Sequence, residues 1–279
     1  MYDGASLSDP VRLQRAKGEV RVGVRRLGEA TMLQDLRQLG CLKARFPRPS
    51  APGWLDVVTL NTGGGVAGGD QLDLAFTAAP GAQLVVAAQA AERFYRAASF
   101  DVPAAVRTHL HIAEGASLDW LPQETILFDR CALNRRLDID VAADARFLCV
   151  ETLVFGRAAM GEIVRNAWLR DLIHIRRGGE LLLHDAIRLD GSVHDLLQRP
   201  AIGQGARVVS TVLLVAPDAE SMLEPVRSAI GSAEAGVSAW NGMLVARILG
   251  HDSAAVRRTV VAALAVLRKS RPLPRVWLC

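Results

Sequence analysis

The middle of the chain alternates between apolar and polar positions. In "QLDLAF", Leu72, Leu74 and Phe76 alternate with Gln71, Asp73 and Ala75. A period of two turns one face of a strand to a core and the other to water. The alternation recurs around tight turns rich in Gly, Asp or Pro. "QLDLAFTAAPGAQLVVAAQ" turns at Pro80–Ala82 and "VRTHLHIAEGASLDWL" at Glu114–Gly115. "RRLDIDVAADARFLCVETL" turns at Ala143–Asp144 and "LIHIRRGGELLLHDAIRL" at Gly178–Gly179. Each segment reads as a hairpin of two strands. The turn positions Gly81, Gly115, Asp144 and Gly178 lie 34, 29 and 34 residues apart. Repetition at that period predicts stacked coils in two sheet layers, because no unit buries its apolar face alone.

The N-terminal third fits the same scheme. "GEVRVGVRRL" sends Val20, Val22 and Val24 inward, and "ATMLQDLRQLGCLKARFPRP" reads as a strand pair broken at Gly40. The last quarter changes period. "PDAESMLEPVRSAIG" spaces Met222, Leu223, Val226 and Ile230 as a helix, with Asp218 as N-cap and Pro225 in its first turns. "HDSAAVRRTVVAALAVLRKSR" predicts a second helix, capped by Asp252 or Ser253 and ending at Arg268 and Lys269. Between them "VSAWNGMLVARIL" reads as one strand. The expected fold is mainly β: a two-layer, β-helix-like stack of hairpins with two α-helices near the C-terminus. Residues 1–17 read as a flexible polar segment and residues 18–279 as a single domain.

Composition narrows the function. No apolar run reaches the ~18 residues that span a bilayer, and the first residues form no apolar secretory core. A cytoplasmic location is the expectation, with no membrane partner. The net charge of +4 does not predict nucleic-acid binding. The basic residues, of which only Lys17, Lys43 and Lys269 are lysine, are interleaved with acids and form no patch beside aromatic residues. Cys41, Cys131, Cys149 and Cys279 form no metal-finger spacing. Cys149 reads as a small core residue and Cys279 as exposed.

Five glycines fall between Thr62 and Asp70 in "TGGGVAGGD". Gly63, Gly65 and Gly68 match G-x-G-x-x-G, but that fingerprint holds a pyrophosphate only when a helix N-terminus follows. Here a period-two strand follows. A P-loop needs Lys where Asp70 stands. The stretch therefore reads as a bulged turn between strands. His109 and His111 share one strand face, which suits imidazole binding of Zn, Ni or Cu, or a pair facing solvent. Glu124, Asp129, Glu151 and Glu162 remain open to three roles: ion pairs with arginines, the lining of a polar channel for a divalent cation, or general acid–base work. No nucleophile motif of the G-x-S-x-G type is present.

Taken in order, "NTGGGVAGGD", "AAERFYRA", "WLPQETILF", "FGRAAMGE", "RLDG" and "PLPRVW" resemble the urease accessory protein family UreD, called UreH in some species. The resemblance runs from about residue 20 to the C-terminus. It maps the family's glycine element to Asn61, Gly64, Gly65, Gly68, Gly69 and Asp70. The aromatic-arginine pair maps to Tyr95 and Arg96. Trp120, Leu121, Pro122 and Gln123 carry the next element, followed by Glu124. Gly156, Arg157, Gly161 and Glu162 carry another, and Pro274, Arg275 and Trp277 the last. The chain departs from the family at Thr62 and Gly63, where prolines are common, at Arg93 for lysine, and at Ala97 for serine.

The resemblance implies a non-enzymatic assembly factor for urease's nickel site. It implies binding to apo-urease and to UreF, which recruits the GTPase UreG. No cofactor is held tightly and nickel is in transit. Dimerisation within that complex is an open expectation. Asp70, Glu124, Asp129, Glu151 and Glu162 are the candidate lining of the nickel passage, since transit favours exchangeable oxygen ligands. Trp240, Trp277 and Arg275 are candidate anchors for the UreF surface. The alternative function is a β-solenoid carbohydrate-active hydrolase with paired carboxylates, which the 5% aromatic content disfavours. A purely structural β-rich partner is a third.

Overall fold

A computed structural model describes residues 14–278. In chain order the strands begin with β1 (Lys17–Leu27), β2 (Ala30–Gly40), β3 (Leu42–Arg45), β4 (Leu55–Asn61), β5 (Gln71–Ala78) and β6 (Gln83–Ala88). Then come β7 (Glu92–Phe94), β8 (Ala104–Ile112), β9 (Ser117–Leu121), β10 (Thr125–Leu127), β11 (Ala132–Val141) and β12 (Arg146–Phe155). After β13 (Asn166–Arg177) and β14 (Glu180–Ser192) the chain makes a short helix α1 (Val193–Gln198). It closes with β15 (Val208–Val215), α2 (Leu223–Ile230), β16 (Ala235–Trp240), β17 (Met243–Gly250) and α3 (Ser253–Leu267).

Among the described residues these strands form two sheets. The front sheet runs β14-β13-β11-β8-β5-β1-β2. The middle sheet runs β16-β17-β15-β12-β9-β6-β4-β3, with β7 and β10 branching from β12. The three turns at Gly81, Gly115 and Asp144 do not close hairpins, contrary to the sequence pattern. β5 and β6, β8 and β9, β11 and β12 part into different sheets, and each pairs in parallel with the strands of neighbouring units. Gln71 faces Ala105, which faces Asn134; Gln83 faces Ser117, which faces Arg146. Those register offsets of 34 and 29 residues equal the spacing of the turns. Only the Gly178 turn joins a true antiparallel hairpin, β13 with β14.

The burial pattern explains the parting. β5, β8 and β11 bury one face, whereas β6, β9 and β12 bury nearly every position. A strand apolar on both faces must lie between two layers. Phe147, Cys149, Leu153 and Phe155 of β12 pack toward the front sheet. Leu148 and Val150 of the same strand pack toward α2 and α3 with Val226, Val260 and Leu264. The fold is thus front sheet, middle sheet and helices, with the middle sheet shared by both apolar clusters.

Other expectations resolve in detail. Residues 1–13, most of the segment expected to be flexible, lie outside the described residues, as does Cys279. Ala16 already hydrogen-bonds to Asp70, and Lys17 opens β1. Val20, Val22 and Val24 are buried as expected. "VSAWNGMLVARIL" is two strands, because Asn241 and Gly242 both take positive φ (50° and 69°) and make the tight turn of a hairpin. The Asp252 side chain caps α3 by accepting from the Ala255 N–H. Asp218 caps no helix by its side chain; it opens a 3₁₀ turn and pairs with Lys269 at 3.3 Å. No described helix is long and apolar enough to cross a membrane.

Candidate functional site

Three adjacent strands each carry one charged residue at a core-facing position. β11 turns Leu133, Arg135, Leu137 and Ile139 inward; β13 turns Ala167, Leu169, Asp171 and Ile173 inward. In β12, Glu151 occupies the phase of Cys149 and Leu153. Parallel register sets Arg135 directly beside Asp171 in the front sheet. Their guanidinium and carboxylate meet in two bonds, Nε to Oδ1 at 2.8 Å and Nη2 to Oδ2 at 2.5 Å. The same guanidinium crosses to the middle sheet, where Nη1 donates to Glu151 Oε2 at 2.6 Å and to Thr125 Oγ1 at 3.0 Å. Trp120 Nε1 donates to the other Glu151 oxygen at 2.7 Å. Side-chain exposures of 11%, 8% and 7% for Arg135, Glu151 and Asp171 make this a buried ion triad.

Burial pushes the Glu151 carboxyl up, and the Asp171 charge adds to it against the opposing pull of Arg135. Burial alone would pull Arg135 down. Asp171 and Glu151 outweigh it, and the guanidinium stays charged. The polar seam continues along the core. Glu151, Thr211 and Arg247 lie in one cross-strand row of the middle sheet. Arg247 reaches back to Asp185 of the front sheet at 2.7 Å. Sequence reasoning missed Arg135, Asp171, Asp185 and Arg247. The available signal was a charge standing in the apolar phase of an alternating strand.

Beside the triad lies a cavity of about 300 Å³ between the two sheets. Glu151, Arg135, Trp120, Gln123, Asn61 and Glu92 line it, with apolar walls from Leu42, Leu72 and Val106. Burial raises the Glu92 carboxyl, partly offset by the Asn61 amide that donates to it at 3.2 Å. A second cavity of about 420 Å³ adjoins it at Gln89–Ala91 and Gln123 and is lined by Glu124, Ser253 and Arg257.

The sequence motifs converge on this cavity from two sides. On one side Asn61 accepts the Gly63 N–H, and the Tyr95 hydroxyl donates to Gly64 O at 2.9 Å. The Tyr95 ring meets Phe128 edge-on, and Arg157 lies 4.2 Å over the Phe128 ring. Arg157 then pairs with Glu162 at 2.7 Å. On the other side Arg257 of α3 donates to Gln123 and Glu124, both at 2.8 Å, and stacks on Trp277. Gln123 bonds Val276 O, and Trp277 Nε1 bonds Leu121 O at 2.9 Å. Pro122 lines the cavity.

The five candidate carboxylates divide. Glu151 faces the cavity between the sheets and Glu124 the adjoining one. Asp70 accepts the Ala16 and Ala67 N–H groups, both at 2.8 Å. Asp129 accepts the Arg165 and Asn166 N–H groups at 2.7 and 3.0 Å. Glu162 accepts the Asp129 and Arg157 N–H groups beside its ion pair. Arg157 and these donors hold the Glu162 carboxyl below the ordinary range, although burial opposes them. These three fasten loops. Gly65 lies under the Tyr95 ring, Gly68 against Ala97, Gly69 beside Arg15 and Gly156 against Glu162 O. Gly161 ends a short 3₁₀ turn, and Arg96 and Arg275 are exposed. Trp277 is buried and so cannot serve as a surface anchor, whereas Trp240 is 42% exposed.

His109 and His111 both face solvent on β8. Register also aligns His109, Asp138, His174 and His184 across four strands, with His174 Nδ1 3.5 Å from Asp138. Among the described residues no group of three or more His, Cys, Asp or Glu side chains stands arranged to hold a metal ion. The buried thiols are not standing thiolates: burial pushes Cys131 up to about 12 and Cys149 well upward.

Together the fold and site define a parallel-stacked β protein with a polar-lined interior. Its glycine loop leads into a strand, without the helix that a phosphate site requires. The family model for the UreD urease accessory protein matches residues 16–278. The chain is 46% identical over 275 residues to the urease accessory protein UreD of Xanthobacter autotrophicus, covering 98% of this chain and 93% of the relative. It is 44% identical over 268 residues to that of Azorhizobium caulinodans, covering 95% and 97%. The chain belongs to the UreD family of urease accessory proteins.

Proposed function

We propose that this chain is a non-catalytic scaffold of cytoplasmic urease maturation. It binds apo-urease and UreF, and through UreF it receives nickel from the GTPase UreG. Nickel is its cargo and moves through the interior of the sandwich. The observation that carries this reading is the cavity of about 300 Å³, walled by residues of the family motifs and faced by Glu92 and Glu151. That volume holds several waters, so an ion can enter partly hydrated. Carboxylate, amide and hydroxyl oxygens bind Ni²⁺ less tightly than imidazole or thiolate would. Such a lining lets the ion leave again. Glu124 offers a further oxygen in the adjoining cavity, on the side where α3 meets the C-terminal segment. Asp70, Asp129 and Glu162 act one step back, by fixing the loops around the passage.

Hydrolysis by paired carboxylates is disfavoured by the same geometry. Glu151 and Asp171 share one guanidinium inside the core, so neither stands free as acid or base. The test is co-expression of the tagged chain with the urease subunits and UreF, followed by capture and mass determination. Capture of both partners, with loss of urease nickel when the chain is omitted, is the expected result. A folded chain that captures neither overturns the scaffold reading.

A further inference from the structure

We infer that Glu151, Asp171 and Thr125 form a divalent-cation site, and that the Arg135 guanidinium occupies it as a resident plug between the cavity and a much smaller gap beyond it. This rests on the reading that nickel travels through the interior, and it assigns to that path a place where the ion must wait.

The space on the two sides of Arg135 differs sharply. On one side is the cavity of about 300 Å³. On the other is a gap of about 10 Å³, lined by Asp171, Asp185, Ile187 and Thr211. Arg135 and Glu151 belong to the walls of both. Ten cubic ångströms admit about one water. A hydrated cation that reaches this point stops unless the guanidinium moves and waters are shed.

The plug is held by the ligands a cation would use. Arg135 spends its donors on three oxygen-bearing side chains: both oxygens of Asp171, one of Glu151 and the Thr125 hydroxyl. Two carboxylates, a hydroxyl and cavity waters make an all-oxygen set suited to a labile divalent ion. Guanidinium and cation therefore compete for one site. The seam sets two guanidiniums, Arg135 and Arg247, against three carboxylates, Glu151, Asp171 and Asp185. A double charge placed at the site restores the balance that a single charge leaves short. The displaced Arg135 has room in the cavity of about 300 Å³, and Glu92 stands in that cavity with Asn61 as its side-chain hydrogen-bond donor. Trp120 keeps its bond to the second Glu151 oxygen and so fixes the carboxylate while the other oxygen changes partner.

The test uses the purified full chain, Ni²⁺ alone, and titration calorimetry with competition against a chromophoric indicator. R135Q frees both carboxylates, and Ni²⁺ affinity is expected to rise by about tenfold or more. Because R135Q leaves two buried carboxylates unpaired and can fail to fold, R135K is measured beside it. Lysine keeps the charge but cannot bridge Asp171 and Glu151 with a planar fork. It is expected to raise the affinity several-fold, and adding E151Q and D171N abolishes the gain. Unchanged affinity in every folded Arg135 variant overturns the plug. Filling the cavity between the sheets with A88F tests the passage separately, by urease activation in cells. Loss of activation in A88F with unchanged affinity in R135K sinks the plug and leaves the passage. Tighter binding in R135K with normal activation by A88F supports the site and sinks the passage.

Discussion

Gly65 sits at φ 144°, and a Cβ added there would overlap the Tyr95 ring. Both the conformation and the space exclude a side chain. Gly65→Ala is expected to lose roughly 1–3 kcal/mol of stability, measured by urea unfolding. Y95A in the same background should return only the steric part, since the backbone strain remains. Glu92 makes a different kind of prediction. Burial holds its folded-state pKa above the ordinary value of 4.5, so the folded chain binds this proton more tightly than the unfolded chain. Stability linked to Glu92 is present below the ordinary value and falls as pH rises toward the folded one. Glu92→Gln keeps an oxygen for the Asn61 amide and removes the charge. Thermal melts should find the variant equal to the parent in acid and more stable at pH 8. A variant less stable than the parent at pH 8 would mean that the Glu92 charge is compensated.

At the scale of elements, the sequence carried the strands further than their partners. Alternation marked β1, β5, β8 and β11, and the turn spacing of 34 and 29 residues became the ladder register. What local pattern left open was which strand each would pair with. A tight turn between two strands suits a hairpin or a crossing between layers, and the doubly buried β6, β9 and β12 decide for the crossing. The triad was half legible for the same reason. Glu151 stood out between Val150 and Thr152, but Arg135 and Asp171 meet it only through non-local pairing. Helix α3 shows local signal at full strength, because its cap and apolar stripe lie within one segment. Asp252→Ala removes the acceptor for the Ala255 N–H. It should cost about 1 kcal/mol, seen as a lowered urea midpoint with an unchanged slope.

At the scale of the whole molecule, the three layers do different work. The outer interface between middle sheet and helices is largely apolar, with the buried Asp119–Arg268 ion pair at the end of α3, while the inner interface carries the Arg135 seam and the cavity beside it. Residues of three family motifs line that cavity, Asn61 and Gly64, Glu92 and Phe94, and Trp120 with Pro122 and Gln123, which ties it to function more closely than to packing. Ala88 ends β6 in the phase of Leu84 and Val86, and it lines the cavity. Ala88→Phe places a ring in the space a hydrated ion needs. The void accepts the added atoms, so the stability loss should stay within the roughly 1–3 kcal/mol typical of overpacking. The surface is untouched, and capture of urease subunits and UreF should match the parent. Urease purified from cells carrying the variant should hold several-fold less nickel, measured by elemental analysis against the same enzyme made with the parent chain. An exposed-site control, Leu27→Phe on β1, should leave nickel content unchanged. Full nickel loading with Ala88→Phe would place the cargo's route outside this cavity. The motifs around it would then serve to hold the two sheets at the spacing that partner docking requires.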